Sequence, residues 1–213
     1  MTTPAFLACD WGTTNVRAWR IEAGRAVARA SFPFGVAKIG RGDLPVRLEQ
    51  DIRPAMNADG LPVLLSGMAG SNLGWIAAPY VDCPVGAKAI SAALVQPAEQ
   101  VWIVPGVRTM GQSHGPDVMR GEEVQIFGAL TPERQSGLYC LPGTHAKWVR
   151  VEGGKIRDFV TAMTGELYGL LSQHSLLRTD ADPSAPAGFE AGNVAGTLAV
   201  IEAAKQADRK SVV

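Results

Sequence analysis

Asp10 closes the apolar run Phe6-Leu7-Ala8-Cys9, a Gly12-Thr13-Thr14-Asn15 turn follows, and beyond it Arg17 and Arg20 alternate with apolar residues. Glycine lets backbone approach a ligand closely, and successive N–H groups in a turn form an anion-binding nest. Threonine hydroxyls add donors to phosphate oxygens. A carboxylate repels phosphate but suits a hard divalent cation such as Mg2+, usually through water. The pattern therefore predicts metal at Asp10 and phosphate at Gly12, Thr13 and Thr14, with a capped hairpin turn as the plain alternative.

A second Gly-Thr turn, Gly143-Thr144-His145, lacks the acid and is expected to close on the phosphate chain from the other side. Phosphoryl transfer also needs a base to orient the acceptor hydroxyl. Glu122 and Glu123 in "MRGEEVQIFGAL" are the candidates, at the start of a helix, where carboxylates also serve as ordinary caps. The glycine-rich "GMAGSNLGW" offers Ser71, Asn72 and Trp75 as ligand-binding side chains on a loop after a buried strand. His114 and His174 have no metal-ligand partner at suitable spacing and read as solvated or hydrogen-bonded. The absence of GxxxxGK[ST], HExxH and GxSxG argues against P-loop, zincin and α/β-hydrolase chemistry.

Those residues need a scaffold. "AFLAC", "VRAWRI" and "RAVARASF" read as three strands of an antiparallel meander. "DLPVRLEQDI" follows as a helix, capped by Asp43, with Leu44, Leu48 and Ile52 on one face and Pro54 as its stop. "LPVLLSG" and "QVWIVPG" are buried strands, and "GAKAISAAL", "GEEVQIFGAL" and "GELYGLLSQHSLL" are helices. The order predicts an α/β layer fold with a mixed sheet. Residues 136–165 repeat the opening: Gly12-Thr13 falls on Gly143-Thr144 and, after a one-residue gap, Arg17, Arg20, Ile21, Glu22 and Arg25 fall on Lys147, Arg150, Val151, Glu152 and Lys155. Recurrence of the turn together with the charge order points to a duplicated domain with a ligand between the copies.

Composition sets the outer limits. The chain has 213 residues, 46% hydrophobic and 19% charged, enough for a folded core. Lys+Arg and Asp+Glu are 20 each, so no basic field attracts nucleic acid or an anionic membrane. The N-terminus has no basic region before its apolar run, and no stretch approaches the roughly 20 apolar residues needed to span a bilayer. Cys9, Cys83 and Cys140 form no CxxC pair; Cys9 and Cys140 end apolar runs and are expected as reduced core residues, which fits a cytoplasmic protein.

"DWGTTNVRAW", "GMAGSNLGW", "MRGEE", "PGTHAKWV" and "MTGEL", in this order, resemble the 2-dehydro-3-deoxygalactonokinase family of the sugar kinase/Hsp70/actin superfamily, from about residue 5 to about residue 180. The resemblance implies two ribonuclease-H-like domains, here 1–130 and 131–213, with ATP and a sugar acid in the cleft. It implies ATP- and Mg2+-dependent phosphorylation of the 6-hydroxyl of 2-dehydro-3-deoxy-D-galactonate, a step of galactonate catabolism. By this resemblance Asp10, Gly12, Thr13 and Thr14 look like the first phosphate motif, and Gly143 and Thr144 the second. Glu122 is similar in position to the catalytic base, with Glu123 the alternative, and "SGMAGSNLGW" looks like the sugar-binding loop. The resemblance fades in "AGNVAGTLAVIEAAKQADRKSVV", where the family continues into its adenosine pocket, so the second domain is expected to be incomplete. A catalytically weak or inactive fragment that only binds a sugar acid or a partner is the competing expectation.

Overall fold

The computed structural model describes residues 4–40, 42–111 and 114–174, which fall into two compact units dividing between Leu130 and Thr131. The tail segment beginning at Ala191, where the family resemblance fades, lies outside the described residues.

The first unit opens with the meander that alternation predicts: β1 (Phe6–Trp11), β2 (Val16–Glu22) and β3 (Arg25–Phe32), each antiparallel to the next. In β1, Leu7, Cys9 and Trp11 are buried and the even positions are half-buried, as a strand's period of two requires. The chain then crosses the sheet as a helical segment and returns as β4 (Val63–Gly67), parallel to β1. β8 (Val101–Ile103) lies parallel to β4, and β7 (Val95–Ala98) pairs antiparallel at the edge, giving a six-stranded mixed sheet in the order β3-β2-β1-β4-β8-β7. Between them come β5 (Tyr80–Asp82), the two-residue β6 (Val85–Gly86) and the short helix α3 (Ala87–Ala92). A small sheet missing from the sequence reading joins β5 to β9 (Gly106–Thr109) and β10 (Asp117–Met119), strands too short for a periodic signal. Helix α4 (Glu122–Ala129) closes the unit.

Leu44, Leu48 and Ile52 are fully buried in one cluster with Leu7, Cys9, Trp11, Leu65 and Ile103. Each such side chain contributes about 1.5–3 kcal/mol by leaving water. Two details of this helical segment differ from expectation. Asp43 is the first helical residue of α1 (Asp43–Arg47), and its carboxylate accepts from the N–H of Gly40 rather than capping the helix. Pro54 does not stop the helix. The chain widens into a π-helical stretch at Leu48–Ile52, where the Arg53 N–H reaches the Leu48 carbonyl, and continues as α2 (Arg53–Ala55). Widening before a proline lets the ring pass the preceding turn without ending the element.

The second unit holds β11 (Gly137–Leu141), β12 (Ala146–Glu152) and β13 (Lys155–Ala162), an antiparallel meander followed by α5 (Thr164–His174). Its details repeat those of the first. The β2–β3 register slips between Arg20 and Ile21, and the β12–β13 register slips between Arg150 and Val151, the residues aligned by sequence. Val149, Val151, Ile156 and Phe159 form its buried side. Cys140 departs from expectation: it is exposed, because it falls on the outward phase of β11, whereas Cys9 is buried.

Candidate active site

Asp10 is the penultimate residue of β1, between Arg17 on β2 and Ser66 on β4. One carboxylate oxygen lies 3.7 Å from Arg17 Nη1, and the side chain is 27% exposed, enough to reach a ligand. Burial pushes its pKa up, and the Arg17 guanidinium offsets part of that.

Two glycines close around this acid. Gly67, ending β4, has φ +74°, and a Cβ there would lie 3.0 Å from Asp10 Oδ1 and 2.8 Å from the Trp11 carbonyl. Gly121, just before α4, has φ +108°, and its Cβ would lie 3.1 Å from Gly67 Cα. Only glycine holds these conformations cheaply, and only a residue without a side chain lets the two backbones approach beside the carboxylate. β1, β4 and the start of α4 thus converge on Asp10. Sequence reasoning singled out neither glycine; the visible signals were a glycine ending a buried strand and a glycine directly before the glutamate pair.

The two glutamates differ sharply. Glu123 is fully buried, and both its carboxyl oxygens accept from the Gly121 N–H at 2.9 and 2.8 Å. Burial pushes its pKa up to about 8, against the opposing effect of the backbone donors. Glu122 is half-buried, and its Oε2 accepts from the Arg120 N–H at 3.0 Å. Both therefore make the local backbone bonds of capping chemistry, but a carboxyl held near its protonated form at neutral pH is a poor proton acceptor.

The Gly12-Thr13-Thr14 turn is tied down from one side. Its carbonyls accept from Val36, Ala37 and Gly35, respectively, at 3.1, 3.0 and 2.8 Å. A trans peptide points its C=O and N–H in opposite directions. The strap therefore turns the Thr13 and Thr14 N–H groups, with their exposed hydroxyl-bearing residues, to the other side, as an anion site requires. The second unit uses the same device: Gly165 and Glu166 donate to the carbonyls of Gly143 and Thr144 at 3.2 and 3.0 Å. There His145 Nε2 lies 2.5 Å from Glu166 Oε2, so the strap also holds the imidazole.

Ser71 and Trp75 brace their own loop: Ser71 Oγ donates to the Met68 carbonyl, and the Trp75 N–H donates to the Ala69 carbonyl. Asn72 is exposed at its tip. A cavity of about 370 Å³ within the first unit is lined by Asp10, Arg17, Trp19, Ser66, Gly121 and Gln125, among others. Among the described residues no group of three His, Cys, Asp or Glu converges as a metal cage, and no helix is long and apolar enough to cross a membrane. A lone half-buried carboxylate beside a nest fits Mg2+, which keeps several waters and takes its other ligands from phosphate.

Comparison with known proteins gives the chain a family. A model of the 2-keto-3-deoxy-galactonokinase family matches residues 10–208. The chain is 38% identical over 183 residues to the 2-dehydro-3-deoxygalactonokinase of Escherichia coli K12, a match covering 85% of this chain and 61% of that protein. It is 35% identical over 209 residues to the "Probable 2-dehydro-3-deoxygalactonokinase DgoK1" of Rhizobium meliloti, covering 94% and 66%. A crystal structure described as "a putative 2-dehydro-3-deoxygalactonokinase protein from Sinorhizobium meliloti" superimposes with a TM-score of 0.73 at 34% identity, over 83% of this chain and 60% of that one. The chain thus spans 61% and 66% of the length of these two curated relatives. With a family model matched along nearly its whole length, the chain belongs to the 2-keto-3-deoxy-galactonokinase family.

Proposed function

We propose that the chain carries out, or forms the larger part of a protein that carries out, ATP-dependent phosphorylation of 2-dehydro-3-deoxy-D-galactonate at its 6-hydroxyl, in the cytoplasm. The observation that supports it most is the convergence of Asp10, Gly67 and Gly121, which seats a half-buried carboxylate beside a phosphate-type turn and against the backbone that leads into Glu122. In this reading Asp10 holds Mg2+, which neutralises phosphate charge as it develops in transfer. Gly12, Thr13 and Thr14 orient the phosphates, and Gly143, Thr144 and His145 form a second phosphate-contacting turn. Glu122 accepts the proton of the 6-hydroxyl. Glu123 positions the Gly121 backbone rather than serving as the base, because it is buried, occupied and held near its protonated form. Ser71, Asn72 and Trp75 form the sugar-acid loop. The matching registers, bulges and straps of the two meanders support reading 1–130 and 131–213 as two ribonuclease-H-like domains.

The test is coupled ADP release with 2-dehydro-3-deoxy-D-galactonate and a panel of other sugar acids. It should be run on this chain and on a form with the further length its relatives have. Mg2+-dependent turnover that requires the sugar acid is expected. ATP hydrolysis indifferent to any sugar acid in both forms would overturn the reading.

A further inference from the structure

The straps that hold the two Gly-Thr turns differ in their side chains. In the first unit the N–H groups that hold the turn carbonyls come from Gly35, Val36 and Ala37, none of which carries a charged side chain. In the second they come from Gly165 and Glu166 of "MTGEL", and Glu166, bonded to Thr144 as Ala37 is to Thr13, is an acid. A carboxylate beside a phosphate-binding turn is unfavourable by itself, since like charges repel. Glu166 also lies in the first turn of α5, where an acid is ordinary helix-dipole chemistry. Dipole chemistry alone would leave its carboxylate to water, and here the carboxylate is bonded back to the turn.

Glu166 grips the turn twice. Its N–H donates to the Thr144 carbonyl at 3.0 Å, and its Oε2 lies 2.5 Å from His145 Nε2. Glycine at 165 lets α5 begin this close, since a Cβ there would sit 2.5 Å from the Gly143 carbonyl oxygen. A carboxylate only accepts, so Nε2 carries the hydrogen of the Glu166 contact, and Nδ1 is the ring nitrogen left for a ligand. A protonated imidazole donates from both nitrogens. The His145 and Glu166 side chains are 50% and 39% exposed, so an anion in solution can reach the ring.

We propose that Glu166 is a positioning residue, holding the His145 imidazole by Nε2 so that Nδ1–H meets a phosphate oxygen on the Gly143-Thr144 turn. The acid then serves as counter-ion to a ring that carries positive charge, which removes its repulsion of the phosphate. The assignment rests on the phosphate reading of that turn. It supplies what the second turn has in place of an acid that holds a metal: the positive group is a side chain of the turn itself, and Glu166 sets its direction.

The experiment is titration of the full chain with inorganic tripolyphosphate, a phosphate chain without adenosine. Affinity is read by NMR at the Gly143 and Thr144 amides, so that binding at the first turn is not counted. His145→Ala and Glu166→Ala should each weaken binding about tenfold, the lower end for a hydrogen bond to a charged group. Glu166→Ala keeps the backbone N–H that straps Thr144, so it removes the side-chain clamp alone. The double variant should bind no worse than the weaker single one, because both act through one contact. Glu166→Gln, which can still accept from Nε2–H, should recover part of the loss. The ligand should also shift the His145 Nδ1 resonance in the unaltered chain, and less so in Glu166→Ala. Unchanged binding in Glu166→Ala, or losses that add in the double variant, overturn the positioning role and leave the phosphate reading standing. Amide and imidazole resonances of the second turn that tripolyphosphate leaves unmoved in the unaltered chain sink the phosphate reading of that turn and this assignment with it.

Discussion

The two meanders share a plan and differ in one chemical respect. Each has an antiparallel pair leading into a Gly-Thr turn, a register slip at the equivalent place between its second and third strands, and a strap bonded to the turn carbonyls. Yet the residue opposite Arg17 is Asp10, whereas the residue opposite Lys147 is Leu141. The basic partner is retained while the acid is replaced by an apolar side chain. Lys147 instead donates to Thr161 Oγ1 at 2.5 Å. In the proposed reading the shared parts shape an anion-binding turn and the differing part holds a cation, so phosphate geometry would be repeated while metal chemistry is confined to one copy.

That contrast is open to direct attack. The largest effect is expected at the acid itself: Asp10→Asn should reduce Mg2+-dependent turnover to assay background, while Leu141→Asn should leave most of it. Circular dichroism should show both variants folded; unfolding of Asp10→Asn would make Asp10 structural. Next comes Glu122→Gln, expected to lower turnover by about 10²–10⁴-fold with sugar-acid affinity nearly unchanged, as for loss of a positioned base. Glu123→Gln should cost turnover less, and a reversed order would move the base by one residue.

Glu123 also gives the first unit a pH dependence that the second should lack. Its folded pKa of about 8 exceeds the ordinary glutamate value of 4.5, so between those values the folded chain keeps a proton the unfolded chain has lost. The contribution of Glu123 to stability is therefore fully present below 4.5 and is lost as pH rises through the folded pKa, by an amount on the order of a few kcal/mol. Urea unfolding of the unaltered chain from pH 5 to 8 should show this decline, and Glu123→Gln should flatten it. The smallest effect tests the shared part. Gly35→Ala would place a Cβ 2.3 Å from the Thr13 carbonyl carbon, and Gly165→Ala one 2.5 Å from the Gly143 carbonyl oxygen. Each should cost about 1–3 kcal/mol of stability, the range for overpacking. Hydrogen exchange should locate each loss in its own unit.

Much of this scaffold was legible because it is periodic or repeated. Alternation in "AFLAC" and "VRAWRI" located the first hairpin, and the recurring Gly-Thr turn located the second. The glutamate pair at the start of α4 was visible, but their difference was not, since adjacent helical residues point about 100° apart and only packing decides which one is buried. The β5-β9-β10 sheet escaped because its strands have three or four residues each.

The burial of Cys9 has a practical consequence. Its thiol, one residue before Asp10 and pushed up to about 12 by the apolar surroundings, is almost wholly un-ionised at neutral pH and out of reach of reagents. Cys140, exposed on β11, is accessible without any opening of the structure. A thiol reagent should therefore label the two on separate timescales, and the slow phase measures how often β1 parts from its neighbours. A ligand that braces Asp10 would lengthen that slow phase, making Cys9 a built-in clock for occupancy of the adjacent site.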